Sequence, residues 1–143
     1  MAINIFLFRT DGVRIMNICY KNRNMLETVD IHDYSFDGFT FDYLKKMVCI
    51  ECQKLPNKQK IKICFNNVIL CNWQGCNFWH GGDNVMWISV EENSPQLSGL
   101  YDIQKVNGYK ITALDQGIKY IEIELRLNSG DSLFVICQSI DVS

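Results

Sequence analysis

A strict alternation near the end of the chain constrains the fold more than any other feature. In residues 121–127, isoleucine and leucine occupy every second position and alternate with charged residues. Side chains of a β-strand point alternately to opposite faces, so this pattern predicts a strand with one buried and one solvent-exposed face. A turn-like segment, 128–131, follows and leads into a second apolar run. We therefore predict an antiparallel hairpin of Ile118–Leu127 with Ser132–Ile140.

Further pairs of β-like runs repeat this arrangement elsewhere in the chain. They are Ile3–Phe8 with Val13–Tyr20, Lys60–Phe65 with Val68–Trp73, and Leu100–Val106 with Tyr109–Leu114. The residues between the runs are Asp11-Gly12, Asn66-Asn67 and Asn107-Gly108, which are typical of tight turns. Asn84–Val90 alternates as a further strand. Short connections favour antiparallel pairing, because parallel neighbours need long crossovers.

One segment has helical rather than strand periodicity. Its apolar positions are Phe41, Leu44, Met47, Val48, Cys52 and Leu55. This spacing predicts a helix that Thr40 or Asp42 caps and that ends before Pro56. The fold class that follows is α+β, a mostly antiparallel β meander of about eight strands with one main early helix. A half-open β-barrel is the alternative. The 143 residues fit a single domain, 1–143.

Composition and charge exclude several classes of protein. Hydrophobic residues make up 48% of the chain, which excludes a disordered protein. There are 14 Lys and Arg against 16 Asp and Glu, so the basic excess of a general nucleic-acid binder is missing. No apolar run approaches the roughly 20 residues that span a bilayer, and the N-terminus lacks the charged start of a signal peptide. We expect a cytoplasmic protein that binds neither membrane nor nucleic acid.

The seven cysteines are an odd number, which fits poorly with a complete set of disulfides. In the cytosol thiols stay reduced, so we expect them to be buried core residues. The alternative is a small zinc- or ligand-binding β domain that uses Cys49, Cys52, Cys71 and Cys76, because zinc takes four such ligands. Cys49 and Cys52 fall within the predicted helix and have apolar neighbours, which counts against zinc. We therefore expect no metal.

Sequence motifs for catalysis are scarce. The chain has two histidines and lacks a nucleophile elbow, a phosphate-binding glycine loop and a His-Glu-x-x-His motif. An arrangement of Cys76, His80 and Asp83 is a third hypothesis. These residues are close in sequence, whereas Cys/His sites are assembled from distant segments. We expect no enzymatic activity and no cofactor.

Charge is distributed unevenly along the chain. Two windows, 24–44 and 63–104, contain nine acidic residues and no Lys or Arg. The first window interleaves its acids with aromatics, and the second holds all three tryptophans. Aromatic side chains supply anchoring energy at protein interfaces, and carboxylates steer a basic partner into place. The ordinary alternative is that the aromatics form the core and the acids lie in water.

The chain is small, has two acidic windows and a hairpin-rich end (residues 121–136), and lacks an active-site motif. In these features it resembles bacterial immunity proteins of polymorphic or contact-dependent growth inhibition toxin systems. The resemblance implies a non-enzymatic protein that binds and neutralises a cognate toxin, often a nuclease, in the cytosol. The resemblance transfers no binding residues, so the candidates come from the loops and charges. The first set is Trp79, His80, Asp83, Glu91 and Glu92, and the second is Asp33 and Asp37.

Overall fold

Antiparallel pairing assigns every described strand to one of two sheets. The computed structural model describes residues 6–8, 14–75, 82–107 and 117–143. Its ten strands are β1 (Phe6–Phe8), β2 (Arg14–Cys19), β3 (Ser35–Asp42), β4 (Met47–Lys54), β5 (Gln59–Asn66), β6 (Leu70–Gln74), β7 (Val85–Val90), β8 (Ile121–Leu127), β9 (Ser132–Cys137) and β10 (Ser139–Val142). A 3-10 helix (Tyr20–Thr28) follows β2, and the helix α1 (Pro95–Asn107) follows β7.

The first sheet has six strands in the order β1-β2-β10-β5-β4-β3, and the second has four in the order β6-β9-β8-β7. The chain passes between the sheets after β5 and again at Gln138, between β9 and β10. One cluster of buried side chains includes Ile50, Ile63 and Phe65 from the first sheet and Ile123 and Val135 from the second. The predicted α+β class with an antiparallel meander is confirmed. Both sheets stay open, so the barrel alternative does not describe the fold.

The hairpin at the end of the chain is confirmed for β8 and β9, but the predicted second strand ran to Ile140, whereas Ser139–Val142 is β10 and belongs to the other sheet. β8 pairs with β9 from Ile121 opposite Cys137 to Arg126 opposite Ser132. The Leu127 N–H donates to the Asp131 carbonyl at 2.9 Å and closes the turn. β1 and β2 also pair as predicted, from Phe6 opposite Met16 onwards. The strand predicted at Asn84–Val90 is β7.

The predicted early helix is wrong, because residues 41–55 form the end of β3, a turn and β4. Val48, Ile50 and Cys52 alternate into the core, whereas Leu44 is 91% exposed at the turn and Leu55 is 66% exposed beyond β4. The apolar spacing matches that of a helix by coincidence, because the exposed Leu44 and Leu55 fall at helix-like intervals from the buried residues of β4. Strand pairing with β5 on one side and β3 on the other decides the conformation.

Two predicted hairpins are also corrected. β5 and β6 flank Asn66-Asn67 as expected, but they belong to different sheets and do not pair with each other. Leu100–Val106 lies in α1 instead of a strand, and the expected partner strand at 109–114 lies outside the described residues. The Ser98 N–H donates to the Ser94 carbonyl at 2.9 Å, which starts the helix at Ser94-Pro95. A serine cap followed by proline is a helix-start signal that the glycine in α1 and the nearby turn residues obscured.

Across the described residues, neither helix is long and apolar enough to cross a membrane.

Candidate functional site: an acidic and aromatic surface at the start of β3

Backbone hydrogen bonds bring the two acidic windows of the sequence together. The Phe36 N–H donates to the Asp83 carbonyl at 3.0 Å, and the Val85 N–H donates to the Tyr34 carbonyl at 2.8 Å. The Asp33 N–H also donates to the Val85 carbonyl at 3.0 Å. The start of β3 is therefore fixed against the residues that lead into β7, although nearly 50 positions separate them in the chain.

Three of the predicted acidic residues lie together here, and we call Asp33, Asp37 and Asp83 the acidic surface. All three are exposed. The Ser35 hydroxyl donates to Asp83 Oδ2 at 3.2 Å, and His32 Nδ1 lies 3.0 Å from Asp33 Oδ2. Asp37 is the extra residue of a β-bulge between Phe36 and Gly38, which turns its side chain out of the regular alternation.

The aromatic residues of this segment divide into a packed group and an exposed group. Tyr34 is buried, while the rings of Phe36 and Phe39 lie 5.8 and 5.6 Å from the ring of Trp73 on β6. Phe41 is 52% exposed and Tyr43 is 78% exposed. With Leu44 and Lys46 they line one side of an open groove of about 500 Å3, and residues 68–71 line the other side. Asp37 and Phe41 therefore follow one another along β3, and Tyr43 lies in the turn after it.

One cation lies next to the acidic surface. The Lys54 ammonium, at the end of β4, is 5.7 Å from the centre of the Tyr34 ring. Tyr34 follows Asp33 in the chain, so this lysine lies near the start of the acidic surface.

Glu91 and Glu92 do not join the acidic surface. They follow β7, whereas Asp83 precedes it, and a six-residue strand spans about 20 Å. Glu91 is half-buried, and burial is the largest cause that raises its pKa. A hydrogen bond with the Glu124 side chain and the charges of Glu124 and Glu122 raise it further. The structure thus separates the predicted set into two acidic regions.

Trp79 and His80 lie outside the described residues, as does Cys76. The Cys76–His80–Asp83 hypothesis therefore has only Asp83 on the described surface, where its partner is Ser35.

Of the four cysteines in the alternative zinc hypothesis, Cys49, Cys52 and Cys71 are described and do not form a metal site. Cys49 and Cys64 form a disulfide across β4 and β5, which corrects the expectation that both are reduced core thiols. Cys52 lies three residues along β4 from Cys49 and so points to the opposite face of the strand. Burial, with a contribution from Asp37, raises the pKa of the Cys52 thiol to about 12, so it stays protonated. Among the described residues, no three His, Cys, Asp or Glu side chains are placed to hold a metal ion.

A second polar centre, which the sequence analysis missed, is built around Glu122. The alternation in β8 predicts this side chain in water, yet it is fully buried under α1. Its Oε1 accepts hydrogen bonds from the Gln96 and Leu97 N–H groups at 2.9 and 3.0 Å. A strand carboxylate thus caps a helix from another part of the chain. The one sequence signal for this was Ser94-Pro95 as a helix start, because a helix that begins there can cover a polar residue of β8.

Comparison with known proteins gives no match: no protein-family model, curated protein or solved structure is similar to this chain.

Proposed function

We propose that the protein is a non-enzymatic inhibitor of the immunity type, which binds a cognate nuclease toxin domain and neutralises it in the bacterial cytosol. The resemblance in size, charge pattern and hairpin-rich layout suggests this class. The geometry adds a candidate binding surface, which consists of the acidic surface and the exposed aromatic residues Phe41 and Tyr43.

The observation that carries the proposal is the contact between Ser35 and Asp83. It unites acids from two sequence windows that carry no Lys or Arg, and so forms a patch that neither window provides alone. All three side chains are exposed in the free protein, so a partner can reach them. Such a patch speeds association with a basic partner and orients it.

The aromatic residues supply what charge alone does not. Phe41 on β3 and Tyr43 in the turn after it lie beyond the acidic surface and border the groove. Aromatic side chains at the centre of an interface carry much of its binding energy, while charged pairs at the rim contribute chiefly to rate and specificity. The groove would receive an apolar side chain of the toxin, and the carboxylates would pair with its lysine or arginine residues.

This arrangement suggests how inhibition would work. A nuclease binds phosphates through lysine and arginine side chains. Carboxylates held on a rigid sheet can occupy those cations and exclude the nucleic acid, with no chemical step. The stoichiometry would be one inhibitor to one toxin domain.

The direct test pairs this protein with the toxin domain encoded beside its gene. We expect purified protein to bind that domain tightly and to protect cells that express it. The double charge reversal Asp37→Lys with Asp83→Lys should weaken binding at least 10-fold and slow association most at low salt. A matched control is Asp102→Lys, because Asp102 is an exposed acid on α1, away from the acidic surface.

Two results would contradict the proposal. One is that no neighbouring toxin domain binds or is neutralised. The other is that Asp37→Lys with Asp83→Lys binds like the unmodified protein while Asp102→Lys does not, since this would place the interface elsewhere. A separate Tyr43→Ala variant tests the aromatic contribution, and we expect a faster dissociation rate with little change in association.

A further inference from the structure

A cavity of about 240 Å3 lies at the opposite end of β7 from the acidic surface. The start of the 3-10 helix, the loop after β7, α1 and the segment before β8 enclose it. The side chains that matter for its chemistry are Tyr20, Tyr101, Tyr120, Glu91, Glu92 and Glu122. We call it the Glu122 cavity. Arg23 and Lys119 also line it, so its walls combine aromatic rings, three carboxyl groups and two cations.

Glu122 is the unusual member of this set. It is fully buried, and its Oε1 is held by two backbone N–H groups at the start of α1. Its Oε2 is also buried and has no hydrogen-bond partner among the described residues. A buried carboxylate oxygen without a donor is energetically unfavourable, because it has lost its water without replacement. The fold thus leaves one strong acceptor at the edge of a cavity.

The protein's own nearby cations do not satisfy this acceptor. The Arg23 guanidinium lies 4.2 Å from the centre of the Tyr20 ring and donates to the Tyr20 carbonyl at 2.8 Å. The Lys119 ammonium lies 5.9 Å from the same ring. Neither forms an ion pair with Glu122, and both lie over the Tyr20 ring instead.

The available groups determine the class of ligand. A hard metal ion needs several converging oxygen atoms, but Oε1 of Glu122 is already committed and Glu91 is hydrogen-bonded to Glu124. A single acceptor oxygen beside aromatic faces instead suits an N–H donor that carries positive charge. We propose that the Glu122 cavity binds an organic cation with a primary ammonium or guanidinium group, which donates to Glu122 Oε2.

Entry of the ligand requires a small side-chain movement, because Oε2 itself is not exposed. Tyr101 is 46% exposed and Glu92 is exposed, so burial does not restrain either side chain at the rim. The movement needs no change in the sheets. The site lies apart from the acidic surface, so this inference does not depend on the proposed toxin interface.

The test uses the full chain labelled with 15N and titrated with n-butylammonium. We expect saturable shifts of the Gln96 and Leu97 amide resonances, because both N–H groups bind the same carboxylate. Glu122→Gln should weaken this binding at least 10-fold, because the amide presents a donor where the carboxylate presents an acceptor. The control Glu51→Gln removes an exposed negative charge from β4 and should bind like the unmodified protein. Neutral n-butanol should cause no saturable shift of these amides.

A second titration, with a capped Gly-Lys-Gly peptide, identifies the source of the cation. Tighter binding of the peptide would indicate a lysine side chain of a protein partner, and exclusion of the peptide with binding of the free amine would indicate a small metabolite. Absence of saturable binding by both, equal binding by Glu122→Gln, or equal shifts with butanol would overturn the proposal. If Glu122→Gln does not fold, Tyr101→Ala replaces it: we expect several-fold weaker amine binding, and unchanged affinity would overturn the proposal.

Discussion

Cys49 and Cys64 lie directly opposite each other on β4 and β5, with their Cα atoms 4.1 Å apart, and a disulfide joins them. Both strands are in the interior of the six-stranded sheet, and the same two strands contribute Ile50, Ile63 and Phe65 to the core. The disulfide therefore connects two strands that the fold already pairs. Its effect on stability is expected to come from the unfolded chain, which loses conformational freedom when a loop is closed.

Reduction of this disulfide should destabilise the protein. The two cysteines are 15 residues apart, and closing a loop of about this length is worth about 3 kcal/mol in the chain-entropy description. We expect the free energy of unfolding in urea to fall by roughly that amount when a phosphine reductant is added. Intact mass spectrometry before reduction should show two hydrogens fewer than the all-thiol chain. The variant Cys49→Ala should be insensitive to the reductant, and an unmodified protein equally stable with and without reductant would contradict the prediction.

Gly99→Ala should stabilise the protein. Gly99 lies within α1, and a Cβ at this position would meet nothing within 4 Å. Alanine reduces the freedom of the unfolded chain and favours the helix, so we expect a gain of about 0.5–1 kcal/mol in the free energy of unfolding. Thermal and urea unfolding would measure it. A loss of stability would show that this segment is not helical.

Gly75→Ala should destabilise the protein, in contrast to Gly99→Ala. Gly75 has a φ of +105°, which disfavours any residue with a Cβ, and an added Cβ would collide with the Asp131 side chain. The same measurement should therefore show destabilisation. Equal effects of the two substitutions would mean that local backbone conformation does not distinguish these glycines.

The carboxyl groups near the start of α1 should make stability depend on pH. Burial raises the pKa of Glu122 and of Glu91 above the ordinary value of 4.5, and the Gln96 and Leu97 N–H groups offset part of the rise for Glu122. The folded state therefore binds these protons more tightly than the unfolded chain. The stabilisation that comes from this tighter proton binding is fully present below pH 4.5. It is lost as the pH rises through the raised pKa values of Glu91 and Glu122.

The double variant Glu91→Gln with Glu122→Gln tests this prediction. Its free energy of unfolding should decline less than that of the unmodified protein as the pH is raised from 4.5 towards neutrality. The exposed Glu51→Gln is the control for removal of a negative charge, and it should follow the unmodified protein. Parallel pH profiles for the double variant and the unmodified protein would show that these carboxyls titrate alike in the folded and unfolded states.

Local sequence patterns correctly predicted the elements that depend only on neighbouring residues. Alternation in 121–127 and a four-residue turn define the β8–β9 hairpin, because every second side chain of a strand points to its buried face. Charge alone also suggested Asp33, Asp37 and Asp83 as binding residues, and this role stays a prediction. Their juxtaposition could not be predicted from charge, because it depends on backbone hydrogen bonds between segments that are distant in the chain.

The errors arose where tertiary contacts overrode a local pattern. Residues 47–54 have helix-like apolar spacing, yet β3 and β5 on either side hold them as a strand. The alternation in β8 predicted Glu122 in water, yet α1 covers it and uses its carboxylate as a cap.

The sequence by itself therefore determined the antiparallel β class, the paired strands at both ends of the chain and the absence of basic charge from two long windows. Only the tertiary structure decided which acids share a surface, which glutamate is buried and which cysteines are joined. The physical reason is that alternation and turn chemistry act between neighbours in sequence. Burial, hydrogen-bond satisfaction and cross-strand contact depend instead on segments that meet only after folding.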